Sequence, residues 1–409
     1  MKIKFIEKNK HLNRSDSLTH IFFFTCITIT ALLVSTHAIA RQVNQNSASY
    51  FPPRGEWAEK APDELGIDKN ALNKAITFAN ENEYSGSRDL RIAILKGFER
   101  EPFHEILGPT KKRGGPAGLI LKDGYIVGKW GDLSRVDMTF SVTKSYLSSL
   151  AGLALDKKLI GSFSDRVNEY VWDDTFVGEH NSKIDWHSLL NQSSDWSGSL
   201  FGIKDWADRP PSEGGIDQWK YRELYEPDTV MEYNDVRVNV LAYSLLHVFR
   251  EPLPRVLRTR IMDPIGASTT WRWFGYDDAW VTVDGLKMKS VTGGGHSGGG
   301  VFINTYDQAR FGLLALHEGT WNNMPILSED YFRQALRPSN ANESYGYMWW
   351  LNRGPRKWEK VEDEDIFYAA GFGGNFIVID KKRNLVIVTR WLEPSKIGEL
   401  VSLVLQAHD

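Results

Sequence analysis

Two apolar hairpin-like segments, one near each end of the chain, restrict the fold more than any other feature of the sequence. Residues 119–127 contain two apolar stretches around Asp123-Gly124, and Asp-Gly supplies the positive φ that a tight turn needs. Residues 376–389 repeat this arrangement around a polar centre. Two hairpins separated by helical, loop-rich sequence predict a single sheet that both ends of the chain complete.

The remaining periodicity predicts which segments are helical. Residues 69–82 and 395–408 read as helices, the second with its apolar residues on one face. The predicted fold class is therefore α/β. It has a mainly antiparallel sheet from about 66–140 and 290–409, flanked by helices, with a helical lobe inserted over about 141–289.

The N-terminal segment has the layout of a secretory signal. Residues 1–40 begin with a basic stretch, continue with an apolar run over 21–34 and end in the small-residue sequence Ala-Ile-Ala at Ala40. We predict a signal peptide that is cut after Ala40, which places the protein in the periplasm or outside the cell. An uncleaved N-terminal anchor is the alternative. A proline-containing extended arm over 41–65 then leads into the main domain, 66–409.

Charge and cysteine content argue against several classes of partner. Residues 1–40 hold five Lys and Arg and two Asp and Glu, so the formal charge of −3 becomes −6 for the predicted mature part. Without a basic stripe, such a chain is not expected to bind nucleic acid. The only cysteine, Cys26, lies in the predicted signal, which leaves no disulfide or cysteine-ligated metal. We predict a small-molecule ligand, no cofactor, no metal and no membrane span after signal cleavage; the sequence specifies no oligomeric state.

Ser141 and Lys144 form the only Ser-x-x-Lys sequence of the chain. Apolar residues continue at helical spacing after them, so Ser141 is predicted in the first turn of a helix. Residues three apart share a helix face, so the amine can reach the hydroxyl, and the helix N-terminus offers N–H groups to a developing oxyanion. Taken alone, the motif also fits a capping serine followed by a solvated lysine.

Further motifs follow Ser-x-x-Lys in order along the chain. They lie at 183–190 (Lys-Ile-Asp-Trp-His-Ser-Leu-Leu), 232–235 (Glu-Tyr-Asn-Asp), 298–300, 307–311, 345–350 and 369–374. This succession resembles the superfamily of class C β-lactamases, DD-peptidases and esterases across about residues 65–405. The resemblance implies a β-lactamase/transpeptidase-like α/β fold. The Gly-rich segment 293–300 and the sequence Val-Thr-Arg-Trp at 388–391 look most like the branch of 6-aminohexanoate-dimer (nylon-oligomer) hydrolases.

The resemblance implies a serine hydrolase and assigns its site residues. It implies Ser141 as the nucleophile, Lys144 as its partner and Tyr233, at the position of the family's Tyr-x-Asn motif, as the second proton-transfer group. Backbone N–H groups of Ser141 and Phe372 are expected to form the oxyanion hole. The implied reaction is ester or amide hydrolysis through an acyl-enzyme. The alternatives are a β-lactamase, a D-Ala-D-Ala peptidase, and an inactive penicillin-binding-like module.

Two departures from the family pattern concern the substrate. Asp235 replaces an Asn that can donate to a substrate carbonyl, and Ala369-Ala370-Gly371 replaces Lys-Thr-Gly, whose lysine binds a carboxylate. We predict that these four residues, Asp235 and 369–371, border the substrate. Since the lysine is missing and Asp235 is negative, we expect neutral or amine-bearing esters and amides to be better substrates than β-lactams.

Three other patterns compete with this interpretation. Ser297 lies in a Gly-x-Ser-x-Gly sequence, but glycines flank it where a nucleophile elbow needs a strand and a helix. Residues 293–298 match a dinucleotide fingerprint formally, although a tight turn between strands is the predicted structure. His180, His187 and His296 lack the spacing of metal ligands and are predicted to be structural.

Overall fold

The computed structural model describes residues 49–408. The predicted signal peptide and its cleavage site therefore lie outside the described residues. Within the described part of the arm, Tyr50 stacks on Tyr125 with ring centroids 4.6 Å apart, and Glu59 forms a bridge with Ile126.

The chain alternates short helices with strands. The α-helices are α1 (Lys69–Glu81), α2 (Leu90–Gly97), α3 (Thr143–Asp156), α4 (Trp186–Leu190), α5 (Ile216–Lys220), α6 (Asp235–Phe249), α7 (Leu253–Leu257), α8 (Thr305–Leu316), α9 (Glu329–Ala335) and α10 (Ile397–His408). Turns of 3-10 helix cover Pro62–Leu65, Phe140–Val142, Val167–Glu169, Asp174–Phe176, Asn181–Lys183, Asp205–Ala207, Gly354–Arg356 and Pro394–Lys396, and a π-helical turn covers Arg258–Met262.

The strands fall into one large sheet and several small ones. They are β1 (Ala117–Lys122), β2 (Tyr125–Trp130), β3 (Asp137–Met138), β4 (Ser199–Leu200), β5 (Ile203–Lys204), β6 (Arg272–Phe274), β7 (Trp280–Val283), β8 (Leu286–Lys289), β9 (Gly300–Ile303), β10 (Thr320–Trp321), β11 (Met324–Pro325), β12 (Trp350–Leu351), β13 (Phe367–Gly371), β14 (Asn375–Asp380) and β15 (Leu385–Arg390).

The large sheet has six antiparallel strands in the order β12-β13-β14-β15-β1-β2. Both predicted hairpins are confirmed, since Lys122 lies opposite Tyr125 in one and Asp380 lies opposite Leu385 in the other. In the centre β1 pairs with β15, Ala117 opposite Arg390, so the two ends of the chain complete one sheet as predicted.

Helices cover both faces of this sheet, which explains why the middle residues of β1 and β15 are apolar on both faces. Leu119 and Leu121 point into a core shared with α3, α6 and α8, whereas Ile120 points into a second core shared with α1 and α10. Strand side chains alternate between faces, so a sheet covered twice needs apolar residues throughout. The predicted helices at 69–82 and 395–408 are confirmed by α1 and α10.

The α/β fold class, with an antiparallel sheet and flanking helices, is confirmed. The region predicted as a helical lobe also contains short strands: the pairs β4-β5 and β7-β8, and β6, which joins β3 and β9 in a small three-stranded sheet. Between residues 49 and 408, no helix has the length and apolar character required to cross a bilayer.

Candidate active site

Ser141 lies in the 3-10 turn Phe140–Val142, directly before α3 begins at Thr143. The sequence predicted the first turn of the α-helix, so the structure moves Ser141 into the tighter turn ahead of it. Phe140 adopts φ +49°, a left-handed conformation that non-glycine residues rarely occupy. Its ring packs on Phe372 and Trp391, and this packing fixes the turn that presents Ser141.

Lys144 connects Ser141 to a buried carboxylate. Its Nζ lies 2.8 Å from Ser141 Oγ and 2.5 Å from Asp235 Oδ1, and only 1% of the lysine is exposed. The first contact is the local one that the spacing predicted. The second orients the amine, because a buried ammonium group in an ion pair has little freedom to rotate away.

Asp235 occupies the first position of α6, and 1% of it is exposed. Its second carboxylate oxygen bonds to Arg209, and His296 Nδ1 lies 3.5 Å away. Burial alone would raise the pKa of Asp235, but the charges of Arg209, Lys144 and His296 hold it well below its usual range. Asp235 was predicted to border the substrate; the structure places it behind Lys144, with both oxygens engaged.

The Gly-rich segment packs directly against this ion pair. A Cβ atom at Gly294 would overlap both the Asp235 carboxylate and the Lys144 amine. Only glycine lets the backbone approach so closely. The segment therefore has a packing role, since it closes one side of the ion pair against water.

Tyr233 lies beside Lys144, and it contacts its neighbours through its ring rather than through its hydroxyl. The ring stacks on Trp350 with centroids 5.7 Å apart, and Lys144 Nζ lies 4.6 Å from the ring centroid. Its hydroxyl makes no hydrogen bond to the described part of the chain. The structure thus brings the predicted tyrosine next to the lysine without a direct hydrogen bond to Ser141.

The end of β13 lies against the turn that carries Ser141. A Cβ atom at Gly371 would lie 3.2 Å from the backbone nitrogen of Ser141 and would overlap the Thr139 carbonyl. The backbone N–H groups of Ser141 and Phe372 donate no hydrogen bond to another residue within 49–408. Two uncommitted donors therefore lie on the two segments that meet beside the Ser141 hydroxyl, as an oxyanion hole requires.

The predicted substrate-binding residues of β13 differ in exposure. Ala369 is 1% exposed and packs in the core that the sheet shares with α3, so its side chain is not accessible to a substrate. Ala370 and Gly371 are half-buried at the end of the strand. Ala370 packs against the second core, on the other face of the sheet, so only Gly371 lies beside the turn that carries Ser141.

Arg390 is a cation with a structural role. Its guanidinium donates to the side chains of Asn375 and Gln308 and to the carbonyls of Ile303 and Met138. Burial lowers its pKa to about 10. With all of its terminal groups bonded and 3% of the residue exposed, Arg390 is not available to bind a substrate carboxylate.

A second polar cluster adjoins Asp235. Glu101, Asp208 and His296 offer ligand atoms within 4.8 Å of one another, a grouping that their separation along the sequence concealed. Their atoms are already bonded: His296 Nε2 lies 2.5 Å from Glu101, and Asp208 accepts from Arg209 and from the backbone N–H of Val236. These contacts account for the cluster as an ion-pair network, and we assign no metal to it.

The competing motifs lack the surroundings that their functions need. Ser297 is buried, and the strand β9 follows it instead of the helix of a nucleophile elbow. A dinucleotide fingerprint also needs a helix directly after its glycines. Since β9 follows 293–298, the dinucleotide interpretation is rejected. His180 bonds to main-chain carbonyls and His187 bonds to Tyr347, so both have structural contacts.

Arg209 is the site residue that the sequence did not reveal. It lies in the loop after the turn Asp205–Ala207 and bonds to Asp208 and Asp235. No motif or periodicity connects Arg209 with Asp235. One signal was present: Asp235 begins an apolar helix, and a carboxylate that is buried with such a helix requires a cationic partner.

Comparison with known proteins agrees with this fold. The profile of the family described as Beta-lactamase matches residues 107–390. No protein in a curated set matches the sequence. Among solved structures, EstCE1, a hydrolase with promiscuous acyltransferase activity, has a TM-score of 0.56 and 15% identity, with 83% of this chain and 98% of that chain covered.

Two further solved structures have the same fold. A protein named as a 6-aminohexanoate-dimer hydrolase from Bacillus anthracis has a TM-score of 0.51 and 18% identity, covering 71% of this chain and 78% of its own. An octameric penicillin-binding protein homologue from Pyrococcus abyssi has a TM-score of 0.51 and 15% identity, covering 71% and 73%. Since these values are so alike, they do not single out one branch.

Proposed function

This chain belongs to the beta-lactamase family, and from that premise we propose that it is a serine hydrolase of ester or amide bonds. The observation that carries the proposal is the chain of contacts Ser141–Lys144–Asp235, with 2.8 Å and 2.5 Å between successive polar atoms. A nucleophile, a base within hydrogen-bond reach and a third group that orients the base are the signature of nucleophilic catalysis.

In the proposed reaction the ammonium group of Lys144 first gives up a proton to solvent, and the resulting amine takes the hydroxyl proton as Ser141 Oγ attacks the substrate carbonyl. Asp235 stabilises the ammonium that results, as the carboxylate of a catalytic triad stabilises its protonated base. The N–H groups of Ser141 and Phe372 hold the oxyanion. Tyr233 gives its hydroxyl proton to the leaving group, and its phenolate then takes a proton from the water that attacks the acyl-enzyme. Lys144 returns its proton to Ser141 Oγ as the acid product leaves.

The ester or amide proposal is preferred to a β-lactamase or D-Ala-D-Ala peptidase because of the missing carboxylate-binding lysine. Ala369 faces the core, and Arg390 is bonded on all sides. An inactive binding module is disfavoured by the contact between Lys144 and Ser141, which a binding role does not need. The Bacillus anthracis neighbour is a reason to include aminohexanoate oligomers among the substrates tested.

We expect short neutral or amine-bearing esters to be turned over at least about tenfold more efficiently than nitrocefin or peptides ending in D-Ala-D-Ala. The reason is the loss of one charge-assisted hydrogen bond, about 1.5–3 kcal/mol, to the substrate carboxylate. The measurement is kcat/KM across a panel of acyl esters, nitrocefin, D-Ala-D-Ala peptides and aminohexanoate oligomers. Efficient nitrocefin hydrolysis with esters untouched would contradict the proposal.

We also propose that residues 1–40 are a cleaved signal, 41–65 an arm and 66–409 the catalytic domain of an exported protein. The mature protein is then expected to begin at Arg41 in the periplasm or the medium. N-terminal sequencing of the protein from its native host checks this expectation. A cytosolic protein that retains Met1 and the segment after it would refute export.

A further inference from the structure

Arg209 has a guanidinium group that is anchored on one side and open on the other. Its Nη1 bonds to Asp208 and to Asp235, while Nε and Nη2 donate no hydrogen bond to any described residue. Its side chain is 28% exposed. An arginine held by two buried carboxylates is already ordered, so a ligand that uses the open edge meets little entropic cost.

The backbone conformation of Arg209 also supports a role in ligand binding. Arg209 adopts φ +48°, the left-handed conformation that a residue with a Cβ atom rarely occupies. Its backbone N–H bonds to Glu101 at 3.2 Å. Strain of this kind persists where the surroundings fix a residue, and such residues cluster at ligand-binding sites.

Arg209 lines a cavity that extends to Tyr233, one of the proposed catalytic groups. The cavity measures about 210 Å³, and Arg209 lines it together with the apolar or aromatic residues Trp206, Pro210, Pro211, Trp219 and Tyr233. Arg209 Cζ lies 5.0 Å from the centroid of the Tyr233 ring, on whose face Lys144 also lies. A substrate group in this cavity would therefore lie against Tyr233, whose ring Lys144 also contacts.

Charge balance indicates what the open edge binds. Asp208 and Asp235 already neutralise Arg209 and Lys144, and the other arginines of the wall, Arg222 and Arg237, pair with acidic side chains of their own. A carboxylate gains no net attraction in such surroundings. A neutral carbonyl oxygen needs only donors, which Nε and Nη2 provide.

We propose that Arg209 is a specificity-determining residue that binds a second, neutral carbonyl oxygen on the acyl part of the substrate. Asp235 cannot donate a hydrogen bond, but by anchoring Arg209 it restores a donor beside the acyl site. The preferred substrate is then an ester or amide whose acyl chain carries a further ketone, ester or amide carbonyl. This inference rests on the proposed hydrolase function.

The test compares esters that differ by one oxygen. The substrates are 4-nitrophenyl 4-oxopentanoate and 5-oxohexanoate, each paired with the unsubstituted pentanoate or hexanoate. The wild type is expected to favour at least one oxo ester over its partner by about ten- to a hundredfold in kcat/KM, the effect of a hydrogen bond to a charged donor. In Arg209→Lys, which keeps the charge beside Asp235 but loses the fork, this ratio is expected to fall to about one.

Arg54→Lys is the matched control, because Arg54 pairs with Asp263 in an exposed ion pair of the arm and should leave the ratio unchanged. A wild type without preference for either oxo ester, or a preference that survives in Arg209→Lys, overturns the proposal. In that case the hydrolase function would still be supported if the wild type hydrolyses the unsubstituted esters and Ser141→Ala does not.

Ligand binding tests the same residue without turnover. N-acetylglycinamide, a neutral diamide, is expected to change the fluorescence of Trp206 and Trp219 in the cavity wall, and to bind about tenfold more weakly or worse in Arg209→Lys. Equal binding by the two proteins overturns the role of Arg209 even if no ester is hydrolysed. If no ester is hydrolysed but Arg209→Lys binds N-acetylglycinamide more weakly than the wild type, only the hydrolase function is rejected.

Discussion

Replacement of Ser141 with alanine is expected to lower kcat/KM for every ester substrate by at least about a thousandfold, because no acyl-enzyme can form without the hydroxyl. The fold should be unaffected, since Ser141 is half-buried and Lys144 keeps its contact with Asp235. The measurements are steady-state kinetics and covalent labelling by a fluorophosphonate. The far-UV circular dichroism spectrum of the variant checks that it is folded.

The matched control is Ser297→Ala, which removes the hydroxyl of the competing Gly-x-Ser-x-Gly sequence. This variant is expected to retain labelling and turnover, because Ser297 is buried and no described histidine bonds to its hydroxyl. The reverse pattern, with labelling lost in Ser297→Ala and kept in Ser141→Ala, would restore the α/β-hydrolase interpretation.

Asp235→Asn is expected to destabilise the protein by about 3–5 kcal/mol, although asparagine has nearly the same shape. The Asp235 carboxylate is the shared partner of Lys144 and Arg209. Its replacement leaves each of these two cations with one acidic partner fewer. Chemical denaturation followed by tryptophan fluorescence measures the change. Activity is expected to fall as well, since Lys144 loses the group that orients it.

Asp263→Asn is the control for this variant, because it makes the same substitution in the exposed pair with Arg54, where about 0–1 kcal/mol is expected. The pH dependence gives a second readout. The folded-state pKa of Asp235 is lowered, so its stabilising contribution is complete above about pH 5 and decreases as the pH falls. The difference between wild type and Asp235→Asn should therefore narrow in acid. The prediction is contradicted if the stability difference between wild type and Asp235→Asn is the same at all pH values. It is also contradicted if Asp235→Asn and Asp263→Asn lose equal amounts of unfolding free energy, because the buried ion pair would then not explain the loss.

Local patterns predicted the parts of this protein that depend on local geometry. The hairpin at Asp123-Gly124 follows from turn chemistry, and the contact between Ser141 and Lys144 follows from residues three apart on a helical turn. Helices α1 and α10 follow from periodicity. In each case the residues that decide the structure are neighbours in the sequence.

Contacts between distant segments were not predictable in the same way. Asp235 was interpreted from its side chain alone as a group near the substrate, whereas tertiary packing gives its two oxygens to Lys144 and Arg209. His296 and Glu101 meet through the Gly-rich segment and the loop after α2. One sequence carries no record of which distant charges become partners, because that depends on how the lobe packs on the sheet.

The pairing of β1 with β15 also affects how the protein folds. These two strands are more than about 260 residues apart in the sequence, so the sheet forms only after closure of a very long loop. Proteins dominated by such non-local pairings fold more slowly than those built from local contacts. A growing chain cannot form this pairing until residues 385–390 have been synthesised. If the protein is exported as proposed, this delay keeps the chain extended and therefore suitable for transport through a narrow channel before it folds.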